Sequence, residues 1–331
     1  MTLAESFAKV RPAVVAFMPV VVPRQAREHG EMFPIIGTGV ILDDGLVVTN
    51  AHVIDALIKL PRPPDFPKDK FPFTAVLFHA VKPGDNPAIQ IESVAEVGLE
   101  VVGIFRVQGL IPTSEGFYYG PEKPDFNIVR VKAKGLPRVE LEPNAEKLIE
   151  GLEVGTIGYP MGTDALRAPG WVHQFGPFLQ RGIISAVLPT RCKAPHSFVI
   201  NLQSLGGASG SPVFLAESGH VIGILNSGLM ETRPTYSKIE SQFQVNGITQ
   251  GSTNFTYVVP AYYIASSLRD ILKDARFALP PDTPNLMEII NHRPAKERPG
   301  SGQIKPLPEK DDSAGVFDVR VETVSFNTKG D

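Results

Sequence analysis

A chain of 331 residues, 43% hydrophobic and 20% charged, carries enough apolar material for roughly two domains and is too hydrophobic to be intrinsically disordered. Its formal net charge of −3 excludes the basic footprint of a nucleic-acid binder. The single cysteine, Cys192, cannot form an internal disulfide and excludes cysteine-based zinc clusters, so it reads as an ordinary thiol.

In chain order, Thr2 to Arg11 reads as a short helix. Pro12 to Pro23 (PAVVAFMPVVVP) has the length of a secretory signal's apolar region, but three prolines interrupt it and no small-residue cleavage site follows. It is therefore expected to be a buried first strand of a cytoplasmic protein. No apolar run reaches the ~18 residues that span a bilayer, so no membrane partner is expected. Thr38 to Leu42 and Leu46 to Thr49 flank Asp43-Asp44-Gly45, a strong hairpin signal. The Gly37-Thr38-Gly39 triplet before them is no phosphate loop, because a strand and no Gly-Lys-Ser/Thr follows; close backbone packing accounts for it.

Residues 61–75 (PRPPDFPKDKFPFTA) are too proline-rich for a core strand, so 61–123 reads as a long insertion with strands near Glu96 to Val107. Phe198 to Leu202, Val213 to Leu215 and Val221 to Leu225 are further β runs, the last two joined by a turn at Glu217-Ser218-Gly219. After Pro260, Ile264, Leu268, Ile271, Leu272 and Ala275 form one apolar stripe at helical spacing. A proline-rich tail, 276–331, carries a final strand at Val316 to Phe326. Many short strands with turns between them indicate an all-β chain of sandwich or barrel type.

Three places carry residues suited to chemistry. They are Thr49-Asn50-Ala51-His52 after a strand, Asp125 opening Asp125-Phe126-Asn127-Ile128-Val129-Arg130-Val131, and the small-residue loop Gly206-Gly207-Ala208-Ser209-Gly210-Ser211-Pro212. Acyl transfer needs these types together. A serine hydroxyl is a poor nucleophile until an imidazole takes its proton, and a carboxylate must hold that imidazole in the right tautomer. The oxyanion that forms needs backbone N–H groups already aimed at it, which glycines around a serine allow. The other histidines, His29, His79, His173, His196, His220 and His292, sit in polar or turn-like contexts and read as structural.

The chain resembles chymotrypsin-fold (trypsin-like) serine peptidases, most closely the HtrA/Deg type of bacterial protease. Thr49-Asn50-Ala51-His52-Val53 matches that family's T-N-x-H-V stretch, the Asp125 segment its D-[IL]-A-[VL]-[LV]-[KR]-[VI] stretch, and Gly207-Ala208-Ser209-Gly210-Ser211-Pro212 its G-N-S-G-G-P loop. Gly158-Tyr159-Pro160-Met161-Gly162, Arg181-Gly182-Ile183-Ile184-Ser185-Ala186, Val221-Ile222-Gly223-Ile224 and Tyr257-Val258-Val259-Pro260 match weaker motifs in the family's order. The resemblance spans residues 4–275.

It implies two packed antiparallel six-stranded β-barrels with a C-terminal helix. The first barrel falls at about 12–145 and includes the insertion; the second falls at about 150–260, with the helix at 261–275. It also implies His52 as general base, Asp125 as its orienting carboxylate, Ser209 as nucleophile, and the N–H groups of Gly207 and Ser209 as the oxyanion hole. No metal or organic cofactor is implied. A protein or peptide substrate would pair as a strand along Leu225, Asn226, Ser227 and Gly228, with Gln203 beside the first subsite. No carboxylate is evident there, which points away from a preference for Lys or Arg.

The departures are Ser211 for a glycine, Asn127 for a small apolar residue, and a long separation of His52 from Asp125. Ala208 stands where digestive-type members place an aspartate that pairs with a freshly cut N-terminus, so that activation switch cannot operate. The tail is too short for the PDZ domain many HtrA proteins append. The competing reading is a latent or catalytically silent protease fold serving as a binding scaffold, the latent form awaiting an activating partner.

Overall fold

The computed structural model describes residues 1–20, 35–60, 62, 66–81, 93–106, 124–160, 176–193, 195–239 and 242–292. They belong to one compact unit, Met1–Arg293. The end of the expected first strand at 21–23, the expected final strand at 316–326, the end of the Gly158 motif, and His29 and His173 lie outside the described residues.

Helix α1 (Leu3–Val10) opens with a capping box in which the Thr2 hydroxyl takes the Glu5 N–H and the Glu5 carboxylate takes the Thr2 N–H. The buried Ser6 hydroxyl donates to the Ala216 carbonyl at 2.7 Å and docks this helix on the second barrel. The first barrel closes in the order β1-β2-β3-β6-β5-β4. Its strands are β1 (Val14–Pro19), β2 (Gly37–Asp43), β3 (Leu46–Thr49), β4 (Phe73–Val81), β5 (Ser93–Arg106) and β6 (Asn127–Val131).

All six residues of β1 are buried, as its unbroken apolar run requires when one face fills the barrel and the other is covered. The β2–β3 turn forms at Asp43-Asp44-Gly45, with Gly45 at φ 68. The stretch 61–123, expected to be an insertion, supplies β4 and β5 to the barrel itself. Its proline-rich start hides that role. β4 begins only at Phe73, after the last of those prolines.

A helix the sequence did not announce, α2 (Ala51–Ile58), follows β3 directly and buries Val53, Ile54 and Leu57.

The second barrel closes in the order β10-β11-β12-β9-β8-β7. Its strands are β7 (Glu153–Gly158), β8 (Phe178–Leu188), β9 (Ser197–Ile200), β10 (Pro212–Leu215), β11 (Val221–Ile239) and β12 (Gln242–Pro260). Its core is Val154, Ile184, Phe198, Val213, Ile222 and Leu225 with their neighbours. β10 and β11 turn at Gly219, with φ 71.

β11 and β12 are far longer than the apolar run at Val221 to Leu225 suggests, 19 residues each. They stay paired from Gly223↔Pro260 to Ile239↔Gln242. Beyond the barrel this ribbon is rich in Thr, Ser and Gln, which suit a solvated strand but carry no hydrophobic alternation.

Helix α3 (Ala261–Lys273) covers the chain's return and buries Tyr263, Ile264 and Ile271. Leu272 of the expected stripe is instead 56% exposed, because the helix is held by the Tyr263–Ile264–Ile271 side. A short helix α4 (Leu286–Asn291) closes the unit, and among the described residues no helix is long and apolar enough to cross a membrane.

Candidate active site

Antiparallel pairing sets two of the chemical residues side by side. β3 and β6 pair with Thr49 opposite Asn127, and the same register carried past the strand end brings Asp125 alongside the first turn of α2. Asn50 fastens the crossing by donating its side-chain amide to the Asp125 carbonyl at 2.8 Å. On the other side Phe126 is 1% exposed and anchors the segment in the core.

Asp125 then holds His52 at two points. One carboxylate oxygen accepts the His52 backbone N–H at 3.1 Å, and the other meets His52 Nδ1 at 2.6 Å. An N–H in the first turn of a helix has no intrahelical partner, so the carboxylate fills a vacancy the helix creates. A carboxylate facing Nδ1 assigns the proton to that nitrogen and leaves the Nε2 lone pair directed outward. The His52 side chain is 49% exposed.

Ser209 comes from the second barrel. Its loop begins with a turn closed by the Ala208 N–H on the Leu205 carbonyl at 3.0 Å. Gly207 has φ 88 and Gly206 is not in the positive-φ region, which makes this a type II turn with its obligatory glycine at the third position. The turn type fixes which way the central peptide, and so the Gly207 N–H, points. Neither that N–H nor the Ser209 N–H meets an acceptor among the described residues. A second left-handed glycine, Gly210 at φ 86, passes its N–H to the Leu225 carbonyl at 2.9 Å.

The loop lies directly on the strand pair that leads to His52. A Cβ on Gly210 would sit 2.1 Å from the Thr38 carbonyl and 2.4 Å from the Thr49 hydroxyl, and one on Gly37 would sit 2.6 Å from Val53, the neighbour of His52. The close packing expected of Gly37-Thr38-Gly39 is therefore present. Gly210→Ala is expected to shift the loop: the left-handed backbone alone costs roughly 1–2 kcal/mol for an L-residue, and the backbone clash adds to it. Thermal unfolding should show a lowered midpoint together with lost activity, and an unchanged midpoint would contradict this docking.

The Ser209 hydroxyl donates to the Asn226 carbonyl at 3.3 Å, and among the described residues it makes no hydrogen bond with His52. Nucleophile and base often engage fully only around substrate. Leu225 differs from its expected role. Its side chain is fully buried, its N–H goes to the Ser211 carbonyl at 2.9 Å, and its carbonyl holds Gly210. With both backbone groups committed it has nothing to offer a partner strand, so the open segment begins at Asn226. Asn226 and Gly228 are half-buried, Ser227 is exposed, and Gln203 is exposed nearby in sequence to the Leu205 turn.

Ser211 is 1% exposed, its hydroxyl without a partner among the described residues and packed where Gly158 leaves room. The other described histidines serve locally. His220 Nε2 meets Glu140 at 2.9 Å, and His292 Nδ1 meets the Glu288 carbonyl at 2.7 Å. Cys192 is exposed.

Two closed antiparallel barrels with this set of residues at their junction define a chymotrypsin-like fold. The family model of the trypsin-like peptidase domain matches residues 37–224, a stretch that contains His52, Asp125 and Ser209, and the chain belongs to that family. Among solved structures, the HtrA-type protease AlgW with a tripeptide is 18% identical at a TM-score of 0.47, the match covering 82% of this chain and 64% of that one. AlgW with a decapeptide is 16% identical at a TM-score of 0.45, with 82% and 68% covered. This chain thus spans about two thirds of their length. No curated relative matches it in sequence.

Proposed function

We propose that the chain is a serine endopeptidase that hydrolyses peptide bonds through an acyl-enzyme on Ser209. The two-point hold of Asp125 on His52, which engages Nδ1 and leaves Nε2 as the ring nitrogen available to act as base, is the observation that carries this reading. His52 takes the Ser209 proton as Oγ attacks the scissile carbonyl, and Asp125 keeps the resulting imidazolium oriented and balanced. The negative oxygen of the tetrahedral intermediate is met by the Gly207 and Ser209 N–H groups, which among the described residues have no internal acceptor to give up. His52 then passes the proton to the leaving amine. Water, deprotonated in its turn by His52, releases the acyl group.

Substrate lies extended against Asn226 to Gly228, using the backbone groups that the Ser211–Leu225 pairing leaves over. Gln203 borders the first subsite, and neither it nor Asn226, Ser227 or Gly228 carries a negative charge to receive Lys or Arg.

The Ser209–Asn226 hydrogen bond favours a second reading, a latent enzyme in which the hydroxyl turns to His52 only when a peptide strand or a partner competes for that carbonyl. A fluorophosphonate separates the two. Labelling of wild type, absent in Ser209→Ala, is expected for the assembled enzyme. Wild type that labels only once a peptide is added supports the latent form. Wild type that never labels sinks the peptidase reading.

A further inference from the structure

Ala208 leaves a mechanical question open. A loop that presents two oxyanion donors must be held from somewhere, and a buried methyl at the position before the nucleophile offers neither charge nor hydrogen bond. The hold comes from the other barrel, through the middle residue of Gly37-Thr38-Gly39. Thr38 is fully buried on β2, and every polar group it has is engaged. Its N–H donates to the Ser209 carbonyl at 2.8 Å, and its hydroxyl donates to the Gly207 carbonyl at 2.8 Å. The hydroxyl oxygen accepts the Tyr159 N–H at 3.1 Å, and its carbonyl accepts the Thr49 hydroxyl at 2.6 Å.

The two loop carbonyls so gripped belong to the peptides on either side of the one that contributes the Ser209 N–H. The Gly207 carbonyl also anchors the exit of the type II turn whose central peptide aims the Gly207 N–H. The Tyr159 N–H takes a lone pair of the Thr38 oxygen and steers its proton toward Gly207. Tyr159 is itself fixed, its ring buried and 5.8 Å from that of Phe78.

Resting on the peptidase reading above, we infer that Thr38 is a positioning residue for the oxyanion loop: its hydroxyl and N–H pin the Gly207 and Ser209 carbonyls to the first barrel and keep both donors aimed at the reacting oxygen. It works through Gly207 and Ser209 and touches no substrate. The cleft's two halves are thereby coupled, since the donors of the second barrel are aimed by a strand of the first.

The test compares Thr38→Val, which keeps the shape and loses the hydroxyl, with Thr38→Ser, which keeps the hydroxyl. Thr156→Val is the control, because it deletes a buried hydroxyl that has no partner among the described residues. Peptide turnover is measured per folded molecule, with fluorophosphonate labelling rates alongside. Thr38→Val should lower kcat about 10²-fold, the loss typical of one misdirected oxyanion donor, with KM within about threefold. Thr38→Ser should recover most of the loss, and Thr156→Val should show none. If Thr38→Val fails to fold, Thr38→Ala replaces it, since the space it opens admits a water to the stranded Tyr159 N–H, and the same kcat deficit is expected.

A folded Thr38→Val with wild-type kcat, a defect confined to KM, or a loss matched by Thr156→Val overturns the inference and leaves the peptidase standing. A wild type that neither labels nor cleaves overturns both.

Discussion

Ser209→Ala and His52→Ala are each expected to lower peptide turnover by on the order of 10⁶-fold, and the double variant no further. In the proposed mechanism the hydroxyl, the imidazole and the carboxylate act in one proton-transfer event, so removing either of the first two removes the event. What remains is oxyanion stabilisation and binding, typically about 10³–10⁴ over the uncatalysed reaction, and it is common to all three variants. Neither substitution should disturb folding. Ser209 is half-buried and its hydroxyl makes one long bond, while the His52 side chain is 49% exposed and packs at the rim of the barrels. Kinetics on the two single variants and the pair decide the matter. Losses that add in the pair would mean that the residues act separately, against the proposed mechanism.

The second large effect is expected at Asp125, where the geometry singles out an unusual ranking. The carboxylate makes two different contacts, one oxygen on the His52 backbone N–H and the other on Nδ1. In Asp125→Asn the amide has one acceptor and one donor end. The backbone N–H cannot reverse its role, so it claims the amide oxygen and turns the NH₂ toward the imidazole. That forces the proton from Nδ1 to Nε2, where it blocks the base. A loss of about 10⁴-fold in kcat follows, the size seen when a triad imidazole is held in the wrong tautomer.

Asp125→Ala removes the orienter without imposing that tautomer, so it should be no worse than Asp125→Asn despite the larger deletion. Thermal stability should separate them the other way, because the alanine leaves the α2 N-terminus without its acceptor. An Asp125→Asn enzyme within tenfold of wild type would show that Asp125 does not control the tautomer.

Both predictions depend on residues legible before any fold was known, and the reason is chemical. His52, Asp125 and Ser209 each sit in a short local context, a strand end, a post-proline segment and a glycine-rich loop, that must be built in a particular way to expose a reactive group. Those contexts are written in neighbouring residues. The hairpins at Gly45 and Gly219 were legible for the same reason, since left-handed glycines mark their own turns. So was the buried first strand, whose apolar run needs no partner to be recognised.

Features that depend on distant parts of the chain were not legible. Whether residues 73–81 join a barrel depends on β1, which pairs Phe17 with Ala75. A proline-rich approach hides that pairing, because strand partners many residues apart leave no local trace. The length of β11 and β12 is likewise decided by one strand pairing with the other and not by apolar alternation. Leu225 looks like the start of an open edge in sequence, yet the loop that folds back on it uses its N–H and carbonyl. Thr38 is the plainest case. Locally it is a small residue between glycines, and only the approach of the second barrel turns its hydroxyl and N–H into supports for Gly207 and Ser209. The sequence by itself, with the family resemblance it carries, marked the groups proposed to react. Tertiary structure decided which groups aim them, because a hydrogen bond between barrels depends on where two separately closed sheets come to rest.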